Sequence, residues 1–222
     1  YSNIFLITDR NTQHFCRSML PPLDVPEFVL GGSTLSLGSA VEPLKTLSSC
    51  EKIWSALLAA NLDRKALVIN LGGGVIGDMG GFCAATYKRG VDFIQIPTTL
   101  LAMTDAAIGG KLGIDFQGIK NTIGVFKNPV AVFVDPEFLE TLPHRELQSG
   151  FAEVIKHALI GDPELWEKIQ NMPVPGFRFR ELVDPTAWLD LLIASISVKT
   201  TIVTTDPFET GIRALLNFGH TF

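Results

Sequence analysis

Short apolar runs recur along the first two thirds of the chain, each closed by a polar residue, a glycine or a proline. Ile4, Phe5, Leu6, Ile7 and Thr8 run into Asp9, and positions 27–30 run into Gly31 and Gly32. Positions 66–71 (ALVINL) lead into three glycines, 93–96 (FIQI) stop at Pro97, and 131–134 (AVFV) stop at Asp135 and Pro136. Runs this short, apolar on both faces, predict buried parallel strands. Between them, 45–61 is predicted helical, with Ile53, Leu57 and Leu58 facing inward, and 82–87 is helix-like. The alternation predicts an α/β fold built on a parallel sheet. Ligands of such sheets gather beyond the carboxyl ends of the strands, where Asp9, Gly72, Thr98 and Asp135 fall. After Pro143 the pattern turns helical. Positions 146–160 carry no strand signature, 173–185 reads as a linker, and 188–201 places Leu189, Leu192, Ile193 and Ile196 on one stripe. The predicted division is 1–142 as an α/β domain and 143–222 as a helical domain.

The 222 residues are 46% hydrophobic with a net charge of −5, which suits a packed globular core and argues against a general nucleic-acid surface. No run approaches the roughly 20 uninterrupted apolar residues of a membrane span, and no signal segment is visible. The three cysteines, Cys16, Cys50 and Cys83, lack metal spacing and read as reduced core thiols of a cytoplasmic protein. Tyr1 in first place and the absence of a polar tail after Phe222 read as a piece cut from a longer chain.

The most informative stretch follows the strand at 66–71. Gly72, Gly74 and Gly77 fit G-x-G-x-x-G, and strand, glycine turn and helix together aim backbone N–H groups at a phosphate. Between 105 and 121, Lys111 follows Gly109 and Gly110, and Lys120 and Asn121 follow Gly118. Their apolar surroundings suit a pocket wall better than a solvated loop. Glu153 and Lys156 share a helix face among apolar neighbours, so an enclosed carboxylate is expected, needing a cation or a metal. His157, four after Glu153, reads first as a core or supporting histidine and second as a co-ligand. Lys199 falls in an apolar stripe, and Arg213, Asn217 and His220 recur at spacings of four and three along one predicted helix face. Such cations in an acidic chain point to a small, strongly anionic ligand.

Together these segments resemble the 3-dehydroquinate synthase family of sugar-phosphate cyclases. The matching text is 72–78 (GGGVIGD), 84–90 (AATYKRG), 95–101 (QIPTTLL), 109–111 (GGK), 120–121 (KN), 141–143 (TLP), 152–156 (AEVIK) and 213–221 (RALLNFGHT). It runs in the family's order along nearly the whole chain. The resemblance implies a Rossmann-like NAD domain and an all-helical metal and substrate domain, with NAD and a divalent metal, zinc before cobalt, as cofactors. Carried over by motif, Glu153 and His220 are metal ligands. Asp9, Asn11, Glu42, Lys45, Gly73, Gly74, Asp78, Thr98, Thr99, Lys120, Thr141 and Leu142 border NAD. Asp105, Lys111, Lys156, Lys199, Arg213 and Asn217 are catalytic, and Lys120 and Asn121 join Lys111, Lys199 and Arg213 around the substrate. Arg89 is implied to reach the phosphate site of a partner subunit in a homodimer.

The implied reaction converts 3-deoxy-D-arabino-heptulosonate 7-phosphate to 3-dehydroquinate and phosphate. The family pattern continues past the position of Phe222 to a further ligand histidine. With two of three expected ligands, this polypeptide alone is expected to bind metal weakly and to be inactive. The competing readings are an inosose- or valiolone-type cyclase, a metal-dependent polyol dehydrogenase, and a catalytically dead NAD-binding module.

Overall fold

The computed structural model describes residues 1–32, 36–171 and 185–219. They form two compact units, the first of Tyr1–Thr98 and Gly110–Asp135, the second of Thr99–Gly109 and Pro136–Phe222. The second therefore takes in Thr99–Gly109 and the residues from Pro136 to Leu142, all N-terminal to the boundary expected at Leu142.

The first unit is built on β1 (Ile4–Asp9), β2 (Glu27–Leu30), β3 (Leu67–Gly72), β4 (Asp92–Pro97) and β7 (Ala131–Val132), in the order β2-β1-β3-β4-β7. Every pairing is parallel. All six residues of β3 are buried, as its unbroken apolar run requires of a central strand covered on both faces. The chain leaves β1 towards β2 but leaves β3 towards β4, so the sheet reverses direction between β1 and β3. That is where an open α/β sheet forms its ligand crevice. Helices α1 (Arg10–Phe15), α2 (Leu47–Ala59) and α3 (Gly74–Thr86) link the strands, and Phe5, Ile7, Ile53, Leu57, Val68, Ile76, Met79 and Phe93 form the core between them. Ile53 and Leu57 face inward as expected, whereas Leu58 is exposed, because its step of 100° from Leu57 carries it past the buried stripe. Cys16, Cys50 and Cys83 are buried thiols outside any disulfide.

Helix α3 lies close against the sheet. A Cβ at Gly80 would stand 2.1 Å from Asn70 Oδ1, so only glycine admits this approach. Gln95 Nε2 donates to the Gly77 carbonyl at 2.9 Å. The 105–121 segment, read as a pocket wall with no regular structure assigned, instead enters an antiparallel hairpin. Its strands are β5 (Lys111–Phe116) and β6 (Ile119–Phe126). Gln117 and Gly118 make the turn, both with positive φ.

The second unit contains α4 (His144–Gly161), α5 (Pro163–Gln170) and α6 (Pro185–Thr205), and the expected linker at 173–185 lies almost wholly outside the described residues. On α6 the buried positions are Trp188, Leu191, Leu192, Ser195, Val198, Lys199 and Ile202, while Leu189 and Ile193 are exposed. The expected stripe through Leu189 and Ile193 is thus displaced by about one position. Residues Trp188–Thr205 are long and apolar enough, by composition, to cross a membrane, yet Lys199 sits buried and ion-paired within them. Positions 102–106 form one turn of π-helix, an irregularity frequent at functional sites.

Candidate functional site

In the first unit, the sheet reversal brings Asp9 and the glycine turn together at the ends of neighbouring strands. Asp9 caps α1, its Oδ1 accepting from the backbone N–H of Asn11 at 2.7 Å and of Thr12 at 3.0 Å. Burial pushes its carboxyl up, and the two N–H groups oppose that. Asn11 in turn holds the loop at 38–39, accepting from Gly38 N and donating to Ser39 O. Gly73 is the N-cap of α3 and supplies no side-chain hydrogen bond. The N–H groups of the first turn therefore remain for an anion, as a dinucleotide's pyrophosphate requires. Thr98 is buried and donates its N–H to Gly72 O at 3.0 Å, closing the floor of the turn.

The hairpin is laced to the same region. Lys45, 4% exposed, places Nζ 2.6 Å from Asp78 Oδ2 and 2.6 Å from Asn121 Oδ1. Lys120 Nζ lies 2.9 Å from Glu42 Oε1. Asp115 accepts from Asn121 N, and its own N–H donates to Lys45 O. Asn121 holds φ 52° within β6, a left-handed conformation that asparagine tolerates better than most residues. Glu42, Lys45, Asp78, Lys120 and Asn121 are therefore assembled as one polar cluster. Lys111 opens β5 on the exposed side. Arg89, also exposed, sits in a run of three positive φ angles (51°, 71° and 111° at Lys88, Arg89 and Gly90).

In the second unit, Glu153 and Lys156 share a face of α4 and form an ion pair. From the π-turn, Asp105 meets Lys199 of α6, whose ammonium donates to both the Asp105 carboxylate and its backbone carbonyl. Enclosure alone would push the Asp105 carboxyl up, but Lys199, with Lys156 behind it, more than cancels this and holds it below its ordinary value. The same enclosure pulls Lys199 below the usual lysine range against the opposing pull of Asp105.

His157 lies fully buried. Its Nδ1 is 2.8 Å from Ser195 Oγ, and among the described residues Nε2 has no hydrogen-bond partner. Burial, then the charges of Lys156 and Lys199, push its pKa down to about 4, so near neutral pH the ring is uncharged and can offer a lone pair. Asp105, Glu153 and His157 each present a ligand atom, all within 4.8 Å of one another. Two carboxylates and an imidazole suit a divalent ion such as zinc or cobalt, and the orphaned Nε2 is an observation that a metal would explain. The residues fit such an ion. The histidine read first as a core residue thus joins the donor cluster, and its i+4 spacing from Glu153 was the available signal. Asp105 comes from a segment 48 positions before Glu153, a meeting no local spacing announces.

Arg213 is buried, its guanidinium donating to the carbonyls of Pro207 and, at 3.0 Å, Gly109. Asn217 is exposed and donates to Glu209 Oε1 at 2.7 Å. The expectation that the two share a helix face is overturned. Ile212–Asn217 is a 3₁₀ helix, in which residues four apart stand about 120° apart around the axis. Thr99 accepts from Ala102 N, Thr141 donates to Phe138 O, and Leu142 is buried; all three belong to the second unit. His220 lies outside the described residues.

The 3-dehydroquinate synthase N-terminal family model matches residues 36–149, and the 3-dehydroquinate synthase C-terminal model matches 150–222. A curated 3-dehydroquinate synthase from Parabacteroides distasonis is 41% identical over 222 residues, covering all of this chain and 60% of the relative. One from Halorhodospira halophila is 49% identical over 181 residues, covering 82% of this chain and 50% of the relative. The chain thus spans about half to three fifths of the length of these relatives. Among solved structures, 2-epi-5-epi-valiolone synthase from Streptomyces hygroscopicus subsp. jinggangensis, with NAD+ and Zn2+ bound, superposes with TM-score 0.84 at 29% identity. It covers 99% of this chain and 60% of that one.

Proposed function

Because the chain belongs to the 3-dehydroquinate synthase family, we propose that it forms part of an enzyme converting 3-deoxy-D-arabino-heptulosonate 7-phosphate to 3-dehydroquinate and phosphate. The observation that carries the reading is the convergence of Asp105, Glu153 and His157, flanked by Lys156 and Lys199. A donor set for a dication beside two ammonium groups suits a substrate that is both hydroxylated and anionic.

The first unit takes NAD. Gly73 and Gly74 at the N-terminus of α3 would receive its pyrophosphate, and Asp9, Asn11, Glu42, Lys45, Asp78, Thr98 and Lys120 would hold the rest, with Thr99, Thr141 and Leu142 assigned by motif. By motif, Glu153 and His220 would hold the metal, with Asp105 and His157 beside Glu153 as further donors. When bound, NAD accepts and returns a hydride at a substrate carbinol, and the metal polarises substrate oxygens.

The chain's own residues orient and move protons. Lys199 holds its proton at Nζ against the Asp105 carboxylate, with burial lowering its pKa and Asp105 opposing that. By motif, Lys111, Lys120 and Asn121, and separately Lys156, Arg213 and Asn217, are assigned to the phosphate and carboxylate of the sugar acid. Arg89 serves the phosphate site of a second subunit in a homodimer, and the enzyme works in the cytoplasm.

Phosphate release by the protein that carries this chain tests the reading. Heptulosonate 7-phosphate should release phosphate without net NADH. Turnover of sedoheptulose 7-phosphate or glucose 6-phosphate instead would assign it to the neighbouring cyclases, and accumulating NADH from a polyol would assign it to the dehydrogenases.

A further inference from the structure

One buried carboxylate has no part in the chemistry above. Asp206 follows the last residue of α6 and is 8% exposed. Its Oδ1 accepts from the N–H of Thr210 at 2.9 Å and from Thr210 Oγ1 at 3.2 Å. Its Oδ2 accepts from the N–H of Gly211 at 2.7 Å and of Arg213 at 3.0 Å. These donors pull its pKa below the ordinary value, Thr210 most strongly. One ionised carboxylate thus gathers three backbone N–H groups of a turn that also holds Glu209 at φ 59°, a left-handed conformation that persists only where its surroundings impose it.

The turn is the base from which Arg213 reaches out. Its guanidinium binds the Pro207 carbonyl on one side and the Gly109 carbonyl on the other. Gly109 has φ 95°, and a Cβ there would stand 2.7 Å from Arg213 Nη2 and 3.1 Å from Val203 Cγ1, so the contact demands glycine. Gly109 ends the segment whose π-turn carries Asp105, and Ile108 N donates back to Asp105 O at 3.1 Å. That same carbonyl accepts from Lys199. A path of hydrogen bonds, joined by the peptide link between Ile108 and Gly109, therefore runs from Asp206 through Arg213 to the Asp105–Lys199 pair.

We infer that Asp206 is a positioning residue: its carboxylate seats Arg213, and through Gly109 it sets Asp105 against Lys199. The consequence for substrate rests on the proposed cyclase function, whereas the mechanical link does not. Substituting Asp206→Asn removes one acceptor oxygen and turns an NH2 towards N–H donors that then lack a partner.

Hydrogen exchange and ligand affinity test it. In D206N, amide exchange should quicken about tenfold or more over both 210–213 and 102–109, while 67–72 and 92–97 stay as they were. Affinity for heptulosonate 7-phosphate should fall about tenfold with NAD+ affinity unchanged, and Asp206→Glu should recover part of the loss. Faster exchange confined to 210–213 would overturn the link, and so would a parallel loss of NAD+ affinity. Should D206N fail to fold, Arg213→Lys keeps the turn but loses the two-armed contact. It should loosen 102–109 while sparing 210, and protection at 102–109 in that variant also overturns the link. If the unsubstituted protein ignores heptulosonate 7-phosphate while the exchange pattern holds, the substrate assignment fails and the positioning role stands.

Discussion

Lys199 holds Asp105 at two points, donating from one ammonium to its carboxylate and to its backbone carbonyl. The contact fixes both where the carboxylate is and which way the π-turn faces. Lys199→Met keeps the apolar stem and removes the charge. Burial, then opposed chiefly by Lys156, should push the Asp105 carboxyl up, and stability should fall by about 3 kcal/mol, at the low end for a broken buried pair because Asp105 keeps 34% side-chain exposure. Chemical denaturation measures the loss. Sugar-phosphate binding should vanish with it, and unaltered affinity would dismiss Lys199 from the substrate site.

Lys45 holds Asp78 and Asn121 from one nitrogen. Lys45→Met leaves Asp78 of α3 without this cation and unties the hairpin from it. Loss of a charged hydrogen bond worth about 1.5–3 kcal/mol corresponds to roughly 10–100-fold weaker NAD+ binding. Fluorescence titration with NAD+ reads this directly, while divalent-metal affinity should stay unchanged.

His157→Ala deletes the buried imidazole that stands with Asp105 and Glu153 in the donor cluster. Cobalt affinity should fall by about 10–100-fold, whether the ring binds the ion or steers a residue that does. The visible absorbance of added Co2+ reports it, and NAD+ binding serves as the unaffected control.

Gly150→Ala tests the packing of α4. The new Cβ would meet Leu101 N at 2.4 Å and Leu100 Cβ at 2.6 Å. Backbone cannot swing aside as a side chain can, so a loss of about 1–3 kcal/mol or more is expected, seen as a lower melting temperature. Gly118→Ala meets nothing within 4 Å but carries a positive φ, so its cost should be only about 1 kcal/mol, from the strained backbone alone.

Acid should weaken the Asp206 turn. Because backbone donors hold this carboxyl below its ordinary 3.8, the folded chain binds fewer protons there than the unfolded one. Its stabilising contribution is complete above that value and is lost as pH falls through the lower folded-state value. The stability gap between the unsubstituted chain and D206N should therefore be constant near neutrality and narrow below about pH 4. A gap that stays constant into strong acid would mean that ionisation is irrelevant to the turn.

Much of the first unit was legible because its information is local. The run at 66–71 is apolar on both faces, which only a central strand accommodates, and glycines at 72, 74 and 77 announce a tight turn into a helix. The β5–β6 hairpin was not legible. Gly113 and Gly124 interrupt its alternation, and they are glycines because each faces the opposite strand too closely for a Cβ, a demand that exists only once the strands are paired. The stripe on α6 was misplaced by about one position, because several faces of that helix are apolar and composition alone does not choose among them.

The amino-acid order by itself determined the parallel sheet, the phosphate-ready turn and the presence of enclosed charges on α4 and α6, since periodicity and residue type act over a few neighbours. Which charges meet was decided by tertiary structure. Asp105 finds Lys199 across 94 positions, and Asp206 sets Arg213 to reach back to Gly109 across 104. Such pairs are chosen by the packing of distant segments, where a carboxylate taken from water must find a cation or hydrogen-bond donors, and nothing in the spacing along the chain names the partner.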